Sequence, residues 1–128
     1  MGSELAWFLA EKGKKVTIVE MLSGVAMDVN LFSRFYLLDK LAELGVEILT
    51  DTTAKEITDK GVAAIDVEGK ERVIEADTVI LATGFRANNE LERKLKGAIP
   101  EVYTIGDCVK PGKIWEAIGT GSRIARLI

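Results

Sequence analysis

Histidine is absent from this 128-residue sequence and cysteine occurs once, at Cys108, so any chemistry must come from a bound cofactor that carboxylates and glycine turns could hold. Without histidine there is no usual general base, no common imidazole metal ligand and no Ser-His-Asp arrangement. A single cysteine excludes an internal disulfide framework, a Cys-x-x-Cys redox pair and a cysteine-only metal site. No side chain is therefore assigned a catalytic role and no metal site is expected. What the sequence does offer are acids and glycines directly after apolar runs. Glu20 follows Val16-Thr17-Ile18-Val19, Thr83-Gly84 follows Thr78-Val79-Ile80-Leu81-Ala82, and Gly106-Asp107 follows Val102-Tyr103-Thr104-Ile105. A carboxylate at a strand end can accept hydrogen bonds from ligand hydroxyls, and a glycine at a helix start lets backbone N–H groups approach a phosphate.

The elements that would position these residues follow from periodicity. Leu5, Phe8 and Leu9 predict a helix over Glu4 to Lys12, with Gly13 as its stop. The Val16 to Val19 run predicts a strand buried on both faces of a parallel sheet. Asn30 can cap a helix whose apolar positions are Leu31, Phe35, Leu38, Leu41 and Ala42, ending at Gly45 before a strand over Val46 to Leu49. Between Ala54 and Glu75, short strand-like stretches separated by Asp59-Lys60-Gly61 and Glu68-Gly69-Lys70 predict a small antiparallel meander. Buried strands are expected over Thr78 to Ala82 and Val102 to Ile105, a short helix over Asn89 to Lys96, and a closing helix whose apolar stripe lasts from Ile114 to Ile128.

A dinucleotide fingerprint consists of a strand, a Gly-x-Gly-x-x-Gly turn, a helix, and a second strand ending in an acid. Only its second half is legible: Gly2 at the helix start, the helix, the strand, and Glu20. Met1 and Gly2 leave no room for an opening strand. A glycine, a helix and a strand ending in glutamate also occur in α/β proteins for packing alone.

The three motifs in order resemble the FAD/NAD(P)-dependent pyridine nucleotide oxidoreductase superfamily, the two-dinucleotide-binding-domain flavoproteins in which a nicotinamide domain is inserted into a flavin domain. The resemblance implies that Gly2, Ser3 and Glu4 open the first helix of the nicotinamide domain at the pyrophosphate. It places Glu20, with Met21 beside it, at the adenine ribose. Thr83-Gly84 would mark the return to the flavin domain, and Gly106-Asp107 would face the flavin ribityl and pyrophosphate region. Within the superfamily, Gly106-Asp107-Cys108-Val109-Lys110-Pro111 followed by Glu116-Ala117-Ile118 and Gly121 resembles the 2,4-dienoyl-CoA reductase and NADH oxidase group related to Old Yellow Enzyme, which adds Ala117 to the cofactor-binding residues. That group implies an FMN-bearing barrel and an iron–sulfur cluster ahead of the FAD and NAD(P)H domains. Gly119-Thr120 departs from the more polar residues expected there.

These features together predict a Rossmann-like doubly wound parallel sheet lacking its first strand, with a small antiparallel β-meander. Residues 1–84 would form the NAD(H)-binding domain and 85–128 a C-terminal segment of the FAD-binding domain. The expected function is that of a fragment of a flavoprotein passing hydride from NADH to FAD. Alternatives are a ferredoxin, rubredoxin or disulfide reductase of the same superfamily, and a non-catalytic nucleotide-binding module. With 17 basic and 20 acidic residues and no charge block, nucleic acid is an unexpected partner. No apolar run approaches the roughly 20 residues of a membrane span, and a soluble, cytoplasmic protein is expected. A sheet without its central first strand exposes unpaired backbone, so a homodimer that shares a strand is one expected solution, with the Val102 to Ile105 strand as another. The isolated 128-residue chain should accordingly be colourless and bind NADH weakly. Titration of NADH and FAD tests this, and micromolar binding of either with reductase turnover would contradict it.

Overall fold

The computed structural model describes residues 1–128 and divides them into two units, Met1–Ala82 and Thr83–Ile128. In the first unit, α1 (Gly2–Glu11) leads into β1 (Thr17–Val19), and α2 (Leu31–Glu43) into β2 (Glu47–Leu49). Both helices end in the same left-handed glycine turn. Beyond α1, the Gly13 N–H donates to the Ala10 carbonyl at 2.9 Å and the Lys14 N–H to Leu9 at 3.1 Å; beyond α2, Gly45 donates to Ala42 at 3.0 Å and Val46 to Leu41 at 2.9 Å. Both glycines have φ near +70° (Gly13 at 74°, Gly45 at 69°), a conformation that costs a residue with a Cβ roughly 1–2 kcal/mol. The start of α2 is equally specified, because Asn30 Oδ1 accepts from the Ser33 N–H at 3.1 Å.

These ends aim the two strands side by side. β1 and β2 pair in parallel, Thr17 opposite Glu47, Ile18 opposite Ile48 and Val19 opposite Leu49. The core beneath them joins Ala6 and Ala10 of α1 to Leu37 and Leu41 of α2 and to Val46, with Trp7, Val16, Ile18, Ala26 and Ile48 packed around it. Trp7 also meets Tyr36 edge to face, ring centroids 5.8 Å apart, and its indole N–H is buried without a hydrogen-bond partner.

The rest of the unit is an antiparallel meander of β3 (Thr52–Thr58), β4 (Gly61–Asp66) and β5 (Glu71–Glu75), with a register shift between Ala54 and Glu56. Asp66 Oδ1 closes the β4–β5 turn by accepting from the Glu68 and Lys70 N–H groups at 3.0 and 2.9 Å. Thr52, fully buried, links meander to parallel pair: its N–H donates to the Glu20 carbonyl at 3.0 Å and its hydroxyl to the Thr50 carbonyl at 2.8 Å. The second unit contains α3 (Glu90–Leu95), a 3-10 turn over Gly106–Cys108 and α4 (Ile114–Ile124).

Four sequence expectations are corrected. Thr78 to Ala82 is not a buried strand: its composition suits one, but no strand pairs with it and Leu81 is 72% exposed. Val102 to Ile105 forms no strand either, for the same want of a ladder partner. β1 is half-buried along its length instead of covered on both faces, with Ile18 packed against the core formed by α1 and α2. The closing helix stops at Ile124, short of Ile128.

Truncating the core should be expensive and truncating the rim should not. Leu41, at 0% exposure, is expected to cost about 2–5 kcal/mol as Leu41→Ala. Phe32, 86% exposed on the same helix, should change stability by no more than about 0.5 kcal/mol as Phe32→Ala. Denaturant titration followed by far-ultraviolet circular dichroism measures both.

Candidate functional site

In the first unit the candidate residues lie at the start of α1 and the end of β1. Gly2 begins the helix, and a Cβ placed on it would stand 3.0 Å from the Ala82 Cβ, so the lack of a side chain is what lets residue 82 come this close. Ser3 is buried beneath the first turn, and Glu4 is exposed, its Oε2 3.0 Å from the Met1 amino group. Glu20 sits where β1 ends, and three local hydrogen bonds hold it. Its N–H donates to the Leu49 carbonyl at 2.9 Å, its carbonyl accepts from Thr52, and its carboxylate Oε1 accepts from the Leu22 N–H at 3.0 Å. An ionised carboxylate offers about four acceptor directions, so one local bond orients Glu20 and leaves capacity for a ligand hydroxyl. Met21 beside it is 67% exposed. The loop that follows is tied to α2 by Arg34, whose Nε donates to the Val25 carbonyl at 2.9 Å.

The second unit holds Thr83 and Gly84 on its exposed opening stretch and brings Gly106, Asp107 and Ala117 together farther on. Gly106 adopts φ +67°, and the position a Cβ would take lies 3.7 Å from the Ala117 Cβ, ordinary contact distance. Its N–H donates to Thr120 Oγ1 at 3.1 Å, and its carbonyl accepts from Val109 at 3.0 Å and Lys110 at 3.3 Å. Asp107, exposed, has Oδ1 accepting from the Gly112 N–H at 3.2 Å. Cys108 is half-buried with its thiol directed to the Ile105 carbonyl at 2.9 Å. Glu116 Oε2 accepts from the Lys113 N–H at 2.6 Å and so caps α4.

The two carboxylates share a design: each follows an apolar run, each accepts one nearby backbone N–H, and each keeps acceptor capacity. Such acceptors suit ligands that carry hydroxyl groups, and no group of three or more His, Cys, Asp or Glu side chains is arranged to hold a metal ion. The sequence reading missed Arg34 and Thr120. Both act through hydrogen bonds to residues 9 and 14 positions away, and no local pattern announces such pairs.

A glycine-started helix and an acid at the end of a parallel strand are compatible with a nucleotide site, but the arrangement does not by itself define a function. Residues 1–121 match the family described as pyridine nucleotide-disulphide oxidoreductase, and the chain belongs to that family. The family implies a nicotinamide dinucleotide and FAD as its general cofactors. The chain is 43% identical to an NADH oxidase of Thermoanaerobacter brockii, with 98% of the chain and 19% of the relative covered. It is 38% identical to a metal reductase of Desulforamulus reducens, covering 90% of the chain and 17% of that protein. Among solved structures it is similar to 2-naphthoyl-CoA reductase in complex with 2-naphthoyl-CoA, at 38% identity and a TM-score of 0.78 over 93% of this chain and 18% of that one. Histamine dehydrogenase from Rhizobium sp. 4-9 superposes with a TM-score of 0.85 at 26% identity, over 98% of this chain and 21% of that one. The chain thus spans about a fifth of the length of these two curated relatives.

Proposed function

We propose that this chain is the nicotinamide-binding region, with an adjoining flavin-binding segment, of a cytoplasmic flavoprotein oxidoreductase that passes hydride from NADH to FAD. The observation that carries the reading is the pair of oriented carboxylates, Glu20 and Asp107, each with acceptor capacity left over, within a sequence that matches the family along nearly its whole length. Residues 1–84 would then serve the dinucleotide and 85–128 the flavin. In this reading Gly2, Ser3 and Glu4 offer the α1 N-terminus to the pyrophosphate. Glu20 receives the adenine ribose beside Met21, Thr83-Gly84 lies at the passage between the two domains, and Gly106, Asp107 and Ala117 attend the flavin. The cofactors supply the hydride chemistry; the protein's residues bind and orient them. A full-length enzyme with an FMN barrel and an iron–sulfur cluster ahead of this region fits the resemblance to the NADH oxidase group.

Cofactor choice tests the first half. Glu20 puts a negative charge where the 2′-phosphate of NADPH would lie, and Met21-Leu22 brings no arginine to offset it, so NADH should be preferred. Glu20→Gln keeps an acceptor for the Leu22 N–H and removes only the charge. It should narrow the NADH-over-NADPH ratio of kcat/KM by roughly tenfold, equivalent to about 1.4 kcal/mol, and an unchanged ratio would show that Glu20 is not the ribose contact.

The second half is tested at Asp107. Removing a charged hydrogen-bond acceptor costs on the order of 1–3 kcal/mol. Asp107→Ala in the full-length protein should weaken FAD binding by about tenfold or more, read by flavin release on dilution, while NADH affinity changes less than about twofold. The reverse pattern would overturn the assignment of this turn to the flavin.

A further inference from the structure

The Gly119-Thr120 pair, out of pattern for the resemblance, has a specific place in the structure. Thr120 lies in the body of α4, and its hydroxyl faces the carbonyls of Ala117 at 2.9 Å and Glu116 at 3.1 Å. A helical threonine commonly donates its proton to such a carbonyl one turn back. With the proton so placed, the oxygen lone pairs point away from the helix, and one of them receives the Gly106 N–H at 3.1 Å across 14 residues. This second bond is the unusual one, since it ties the middle of α4 to the turn immediately ahead of Asp107.

Hydrogen bonds hold both peptide groups of Gly106. Gly106 has its carbonyl engaged by Val109 and Lys110, so the Thr120 oxygen completes the hydrogen bonding of its peptide groups. The turn and the helix are in direct contact: a Cβ on Gly106 would stand 3.7 Å from the Ala117 Cβ, and one on Gly121 would stand 3.6 Å from Ile105 Cδ1. Asp107 is the next residue along: the Thr120 bond holds the Ile105–Gly106 peptide, the Val109 and Lys110 bonds hold the Gly106–Asp107 peptide through its carbonyl, and together they set where the Asp107 backbone lies.

We propose that Thr120 is a positioning residue for the flavin site, its hydroxyl holding the Gly106 peptide so that Asp107 is presented to the cofactor. This rests on the assignment of Asp107 to FAD made above. Thr120→Val keeps the shape and deletes the acceptor, leaving the part-buried Gly106 N–H without a partner, a loss on the scale of one hydrogen bond. Thr120→Ser restores the hydroxyl.

Two measurements on the intact protein judge the proposal. Amide hydrogen exchange in the flavin-free form should show Gly106 exchanging about tenfold faster in Thr120→Val than in wild type, and protected again in Thr120→Ser. FAD affinity, read with the visible flavin absorption bands, should fall roughly tenfold in Thr120→Val with those bands displaced, recover in Thr120→Ser, and leave NADH affinity unmoved. Faster exchange at Gly106 with wild-type FAD affinity would overturn the positioning role. Unchanged exchange would overturn the clamp itself, and failure of serine to rescue would reduce Thr120 to packing. A wild-type protein that takes up no FAD would overturn the flavin reading, and the positioning role with it, before any variant is compared.

Discussion

Two alanines packed against two leucines set the geometry of the first unit. Ala6 and Ala10 present almost no side chain, so α1 can lie close to α2, where Leu37 and Leu41 fill the space between them and Val46 closes the end. Close-packed interiors tolerate neither gaps nor extra atoms, and this contact therefore fixes the two helices relative to each other. Each helix delivers its strand through a glycine turn of the same kind, so a fixed helix pair implies a fixed strand pair. The parallel register of Thr17–Val19 on Glu47–Leu49 follows, and with it the point where Glu20 leaves the sheet. The position of a candidate ligand-binding carboxylate thus depends on residues whose own side chains carry no polar atom.

Much of this was legible in the sequence because the signals were local. Asn30 capping α2, Gly13 and Gly45 ending α1 and α2, and the Glu68-Gly69-Lys70 turn each depend on neighbours within a few positions. Composition misled where structure depends on distant partners. Thr78 to Ala82 and Val102 to Ile105 are apolar and rich in β-branched residues, yet a strand exists only when its N–H and C=O groups find another strand, and within this chain those two runs do not. The Thr120 bond to Gly106 and the Arg34 bond to Val25 escaped for the same reason. Periodicity could place Thr120 on a helix, but not opposite a turn 14 residues upstream.

The candidate carboxylates also show how a scaffold can prepare a ligand site without reactive side chains. Glu20 and Asp107 are each steadied by one backbone N–H, so part of the cost of ordering a flexible acid is met before any ligand arrives. Neither is sealed off: Glu20 is half-buried and Asp107 exposed. Groups of this kind suit binding and orientation, which is the part that the proposed function gives the polypeptide.

The two tryptophans fall one to each unit and in opposite surroundings. Trp7 lies against the first core with Tyr36 at its edge and an indole N–H hidden from water, whereas Trp115 stands 69% exposed on α4. Emission from an indole already in water changes little when the chain around it loosens, while a shielded one moves toward longer wavelengths as solvent reaches it. Among residues 1–128, a spectral shift of intrinsic fluorescence on melting therefore comes chiefly from Trp7 in the first unit, with Trp115 adding a nearly constant red-edge background.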